Sequence, residues 1–440
     1  MEFTMSDPIS RRTMLRMLGI GATAAALAPA LAACAPSTQA PAPAGTEGLN
    51  DDGVKEFPFT SWSFNEAVTK QPMQDQITKY TAANAGVKIN TPSYPYNDYL
   101  NQLLLQVQGG RLTGAVQLDV AWLATLAATG KLADLKSVAA DADYAPAALA
   151  LGQSKGTQYG LPWTFAGIGL ISNTELLTKA GVTAPPKTIA EFEAALTAVK
   201  GLGGGIVPWA GMTKVDQLKD IIPWMWEFGS PIVADNKVVI GDDGSVEAIT
   251  WYKKLYDQKL IAPDVNRVDA RALMSQGKTA FYEDAIGGKA TVTKSSPDKD
   301  LGSKMSPVAR PVKASGDKPR HLAWGQVVAV MSGSGAAAAA NWAKTITTDR
   351  SYTVEYFTKT GLPPTTNAGL ADAAVKNDKF AADFTAQIGA NSSASPFWVY
   401  PQFSQMEKVL AEEVQAILIG KKQVKEALTS ARDRMNDLIK

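Results

Sequence analysis

The chain has 440 residues, 45% of them apolar, with 43 basic against 42 acidic side chains and a net charge of +1. So balanced a chain has no electrostatic footprint for nucleic acid and no basic stripe for an anionic membrane. One histidine, His321, and one cysteine, Cys34, exclude the common His/Cys zinc sites and any disulfide within the chain.

The stretch SRRTMLRMLGIGATAAALAPALAAC (residues 10–34) orders a basic start at Arg11, Arg12 and Arg16, an apolar run from Met17 to Leu27, and small residues before Cys34. That is the layout of an export signal, and the run is too short for a permanent membrane-spanning helix. The arginine pair resembles a twin-arginine signal, with Met14 where that pattern has Phe. LAAC (Leu31–Cys34) resembles the bacterial lipobox, which implies cleavage before Cys34 and acylation of it. Acyl chains bring about 0.8 kcal/mol per buried methylene, so several on one residue anchor stably. Residues 1–33 are therefore expected to be a leader, and 34–53, rich in Pro, Ala and Gly, a mobile tether.

Beyond residue 54, strand-like and helix-like segments alternate. EFPFTSW (Glu56–Trp62) reads as a strand, a helix follows with Met73, Ile77 and Tyr80 on one face, and VKINTPSY reads as a second strand. This βαβ opening predicts an α/β fold with a mainly parallel sheet. In PPKTIAEFEAAL, Thr188 and Glu191 form a capping box ahead of Ile189, Phe192, Leu196 and Val199 at helical spacing, and Gly201 ends the run. Two amphipathic helices close the chain, one with Phe403, Met406, Val409, Leu410 and Val414, the other with Val424, Leu428, Met435 and Leu438. Such stripes read as core. A chain of this length divides by default into two lobes.

Catalytic patterns are weak. GQSKG (Gly152–Gly156) matches a nucleophile elbow, with His321 downstream. An elbow needs a strand before it and a helix after it, whereas here helix-like residues precede and strand-like residues follow. Paired carboxylates for glycoside hydrolysis stay open, because spacing alone pairs none of the acids. The ten tryptophans say more, since many stand where a strand ends or a loop begins. An indole offers a flat apolar face and one N–H donor, which suits a pyranose ring. Carboxylates and amides would then read the hydroxyls.

Several segments, in order, resemble the maltose-binding-like family of extracellular solute-binding proteins, the receptors of ABC importers. LDVAWLATLAATGKLADL (Leu118–Leu135) resembles its "PDV" strand, with Leu118 in place of proline. QYGLPWTFAGIGLISNTELLTKAGVTAPPKTIAEFEAAL (Gln158–Leu196) carries its crossover, the strand asparagine at Asn173, and the helix start. LMSQGKTAFYED (Leu273–Asp284), SPVARP (Ser306–Pro311), TGLPPTT (Thr360–Thr366) and the last helix resemble its later segments.

The resemblance implies a two-lobed periplasmic-binding-protein type II fold with the ligand in the cleft. Crossings are expected near Trp163–Ala166, Met305–Ala309 and Thr360–Pro364. One lobe would be 54–164 plus 307–361, and the other 165–306 plus 362–440. Carried over by position, the ligand contacts are Trp62, Asn65 and Glu66 after the first strand, Asp119 and Trp122, and Trp163 and Thr164 at the crossover. The second lobe adds Trp224, Trp226, Glu283, Asp284 and Trp398. Trp324 and Gly325 stand where relatives carry a glycine pair, and Asp119 reads equally as a strand-end cap. The resemblance further implies a monomeric receptor, without catalysis, cofactor or metal. It would hold a neutral carbohydrate, deliver it to an ABC permease, and touch the membrane only through a lipid on Cys34. A sugar phosphate, polyamine or peptide is the alternative solute, and an exported glycosidase or Ser154 hydrolase the alternative class.

Overall fold

Phe57 and Phe59 are buried and alternate with the more accessible Glu56 and Pro58, and Glu56–Thr60 form the first strand, β1. The computed structural model describes residues 49–440; the expected leader, Cys34 and the expected tether before Leu49 lie outside them. The helix Lys70–Ala83 follows, burying Met73 and Tyr80 and half-burying Ile77, and leads to β2 (Lys88–Asn90), which pairs parallel to β1. The expected βαβ unit is present.

Seven further strands complete one sheet: β3 (Ala115–Asp119), β4 (Gly160–Asn173), β5 (Val207–Ala210), β6 (Thr279–Asp284), β7 (Met305–Val308), β8 (His321–Val330) and β9 (Ser392–Ser393). Their order is β2-β1-β3-β8-β4-β6-β5, with β7 also on β4 and β9 on β8. The sheet is mixed, which corrects the expectation of a mainly parallel one. β1, β2 and β3 run parallel, as do β5 and β6, but β8 runs against both β3 and β4, and β4 runs against β6 and β7. The physical reason lies in β4, whose 14 residues serve two halves of the molecule. Gly160–Ile168 pair with β8, and Gly169–Asn173 pair with β6 and β7. A strand that leaves one α/β unit to enter another has no reason to keep the direction of either.

Each half has its own aromatic core. Phe59, Tyr80 and Trp342 pack edge to face at centroid distances of 5.7 and 5.0 Å, with Trp163 stacked on Tyr356 at 4.8 Å. In the other half Phe192, Trp209, Trp224 and Trp251 interlock at 5.0–5.8 Å. The capping box forms as expected: Thr188 Oγ1 accepts from the Glu191 amide and Glu191 Oε2 from the Thr188 amide, starting the helix Ile189–Lys200. The two closing helices are Phe403–Leu418 and Val424–Leu438, separated at Gly420 in the left-handed region (φ +75°). GQSKG is a tight hairpin, its turn residues Lys155 and Gly156 at φ 49° and 81°, entered from the helix Pro146–Leu151. No elbow forms there. His321 is fully buried, and burial pushes its pKa down to about 3, with Arg310 adding to the effect.

Candidate ligand-binding cleft

In open α/β sheets ligands collect beyond the carboxyl ends of the parallel strands. β1, β3 and β6 all end at one cavity of about 410 Å³, within the roughly 300–1,000 Å³ usual for ligand sites. Each strand end delivers its side chains by a local rule. After β1, Ser61 Oγ accepts from the Ser63 amide at 3.1 Å, and the turn it caps carries Trp62. After β3, Asp119 Oδ1 accepts from the Ala121 amide at 3.0 Å, and that turn carries Trp122. Asp119 is thus both cap and cavity wall, since its Oδ2 accepts from Tyr96 Oη at 2.8 Å. The rings of Trp62, Tyr96 and Trp122 pack at 5.0–5.5 Å from one another.

Strand alternation sorts the next pairs. On β6, Asp284 faces the cavity, while Glu283 faces away and pairs with buried Arg310 at 2.6 Å. On β8, Trp324 and Gln326 line the cavity with Gly325 between them. A Cβ at Gly325 would lie 2.7 Å from the Thr164 carbonyl oxygen, so glycine is there for close strand approach. Gln326 Oε1 accepts from Gln117 Nε2 at 2.8 Å, fixing its amide.

The far wall is charged. Asn266 and Asp269 form a capping box that starts the helix Arg267–Ser275, and Arg267 and Arg271 fall one turn apart on its cavity face. Arg271 grips Asp284 bidentately, Nε at 2.7 Å and Nη2 at 2.9 Å. Arg267 donates to Asp220 and, at 2.7 Å, to the Glu283 carbonyl; Lys219 lies 3.2 Å from Asp220. Burial would raise the pKa of Asp220, but Lys219 and Arg267 outweigh it and hold that carboxyl below its ordinary value. Trp398 enters from the loop before Phe403–Leu418, its Nε1 donating to Glu407 Oε1 at 3.0 Å. Burial raises the carboxyl pKa of Asp119, Glu407 and Glu66, the last with Arg271 opposing.

Of the expected contacts, the fold brings Trp62, Glu66, Asp119, Trp122, Asp284, Trp324 and Trp398 to the cavity. The others are corrected. Trp163 and Trp224 are core, stacked on Tyr356 and Phe192; Trp226 is buried beneath the Arg320 guanidinium, 4.6 Å from its ring. Asn65 is exposed and donates to Ser93 Oγ, while Thr164 is buried inside β4. Glu283 and Gly325 serve the ion pair and the strand contact just described. Sequence reasoning missed Tyr96, Lys219, Asp220, Arg267, Arg271, Gln326 and Glu407. A capping pair in the sequence, Asn266 and Asp269, could have found two of them, because it sets Arg267 and Arg271 on one helical face.

Residues 75–382 match the bacterial extracellular solute-binding proteins. The chain belongs to that family. A binding protein of Brucella abortus is 26% identical to this solute-binding protein over 220 residues, 48% of this chain. The chain spans about half the length (53%) of that relative. Among solved structures, the GacH receptor of Streptomyces glaucescens, studied unliganded and with acarbose, superposes at TM-score 0.78 and 21% identity, over 87% of this chain and 98% of its own. The maltose-bound MalE3 of T. maritima superposes at 0.77 and 18% identity, over 87% and 99%. At these identities the likeness speaks for the two-lobed fold.

Proposed function

We propose that this solute-binding protein captures a carbohydrate in the cleft and delivers it to the permease of an ABC importer. The observation that carries the reading is the cavity itself. Tyr96 and four tryptophans (62, 122, 324 and 398) line one space with the hydrogen-bonding groups of Asp119, Gln326, Asp284 and Arg271. Flat apolar faces beside fixed donors and acceptors are what a sugar ring requires. The bound acarbose and maltose of the two superposed structures support the same reading.

The two lobes hinge at β4, whose Gly160–Ile168 pair with β8 in one lobe and whose Gly169–Asn173 pair with β6 and β7 in the other, and at its neighbouring crossings. Ligand shifts the open–closed equilibrium by its differential affinity for the two states, which is how a permease tells loaded from empty. The family is extracellular, and no helix among the described residues is long and apolar enough to cross a membrane. Export through the Arg11/Arg12 signal and a lipid on Cys34 would hold the monomeric receptor at the outer face of the cell membrane or in a periplasm.

Titrating the chain with mono- and oligosaccharides while following tryptophan emission tests the proposal. A saturable response to a sugar, weakened about tenfold or more in Trp398→Ala and without product, supports a receptor. A flat response across the panel refutes the carbohydrate assignment.

A further inference from the structure

The charges that line the cleft do not balance. Its three cations are committed: Lys219 to Asp220, Arg267 to Asp220 and the Glu283 carbonyl, and Arg271 to Asp284 through two hydrogen bonds. The more accessible Glu66 is left over, and so are two buried acids, Asp119 and Glu407. The latter two are 3% and 7% exposed, both line the cavity, and among the described residues neither forms an ion pair. Asp119 spends its two oxygens on the Ala121 amide and the Tyr96 hydroxyl. Glu407 uses only one: Oε1 accepts from the Trp398 indole, and among the described residues Oε2 accepts nothing. A carboxylate nine-tenths buried, held by the very tryptophan that shapes the pocket and with one oxygen unused, is set to receive a donor from the ligand. Aromatic faces surround this end of the cleft, and ring faces attract cations.

We infer that the Asp119–Glu407 end of the cleft is a subsite for a positively charged nitrogen, so that the solute is a carbohydrate bearing a free amino group. The inference rests on the carbohydrate reading above and narrows it from the neutral sugar that the sequence implied. An ammonium brings three donors and the missing charge, whereas a hydroxyl in its place brings one donor and leaves the charge uncompensated. Charge-assisted bonds are roughly twice as strong as neutral ones. Burial raises the pKa of both carboxyls, and Lys219, already bonded to Asp220, opposes that rise without cancelling it.

The test is calorimetry on the purified chain at about pH 6.5, where such amines are charged. The probes are amino sugars with the amine at each ring position, singly and as β-linked oligomers, each against the matching hydroxyl sugar. The expected result is one amino sugar binding about tenfold or more tighter than its hydroxyl counterpart. In Glu407→Gln that ratio should fall toward one. This substitution keeps the volume and an oxygen for the Trp398 N–H while removing the charge, and a thermal melt confirms that the variant is folded. Should Glu407→Gln not fold, Asp119→Asn provides the same comparison. Equal or tighter binding of the hydroxyl sugars, or a ratio unchanged in the folded variants, overturns the inference and leaves the carbohydrate reading standing. Binding of spermidine with no response to any sugar keeps the cation subsite and overturns the carbohydrate reading. No binding by either class overturns both.

Discussion

Replacing Arg310 with methionine separates a structural acid from a ligand-binding one. Arg310 and Glu283 are buried to 1% and 2% exposure and meet at 2.6 Å; Arg310 Nε also donates to the Arg320 carbonyl at 3.1 Å, and its guanidinium lies 4.4 Å from the Trp224 ring. Removing one partner of a buried pair leaves the other charge uncompensated, at a cost of about 3–5 kcal/mol. Removing both is cheap by comparison, because an apolar replacement of similar volume is often neutral or better. Urea denaturation should therefore show a large drop in midpoint, at unchanged slope, for Arg310→Met. The double variant Arg310→Met/Glu283→Met should recover most of it. Sugar affinity in the double variant should fall only slightly, since the Glu283 carbonyl that holds Arg267 is backbone and survives the exchange. A single-variant loss below about 1 kcal/mol, or a double variant no better than the single, would refute the ion-pair argument. Abolished sugar binding in a stable double variant would return Glu283 to the ligand.

Trp224→Ala should cost about 3–5 kcal/mol in the same denaturation experiment, as for other large core aromatics, with any folded fraction binding ligand at wild-type affinity. Gly325→Ala forces a methyl to 2.7 Å from the Thr164 oxygen and should destabilise by about 1–3 kcal/mol; an unchanged midpoint would show that β4 and β8 separate freely. Glu227 is raised by burial from 4.5 to about 7, although Arg320 and Arg310 oppose it. Between those two values the native state holds a proton that the unfolded state has lost, so its contribution to stability declines as pH rises through that window and is level above it. Subtracting Glu227→Gln midpoints from wild-type ones across about pH 4 to 8 should reveal that decline, and a flat difference would remove Glu227 as its source.

Local features were legible in the sequence because their physics is local. The Thr188/Glu191 capping box, the stripes of the two closing helices and the inverted setting of GQSKG involve residues within a few turns of one another. Strand ends bearing Trp62, Asp119 and Trp122 belong to the same class, because an acid or hydroxyl after a strand caps the turn that follows it. The tryptophans were harder to sort. Trp398 and Trp224 look alike as residue types, yet one meets a carboxylate beside an open space and the other meets Phe192, Trp209 and Trp251. What an indole touches depends on which helices are laid over the sheet, and spacing does not carry that information.

The charged wall was beyond sequence reasoning for a related reason. Lys219 and Asp220 come from a short turn, Arg267 and Arg271 from a helix, Asp284 from a strand end and Glu407 from a closing helix. Chain order says nothing about their convergence. The sequence alone therefore determined the alternating elements, the helix caps and the kind of side chain available at the strand ends. Only the tertiary structure decided the mixed sheet, which acids face the cavity, and which carboxyls remain without a counter-charge, because those follow from strand alternation and packing between segments far apart in the chain.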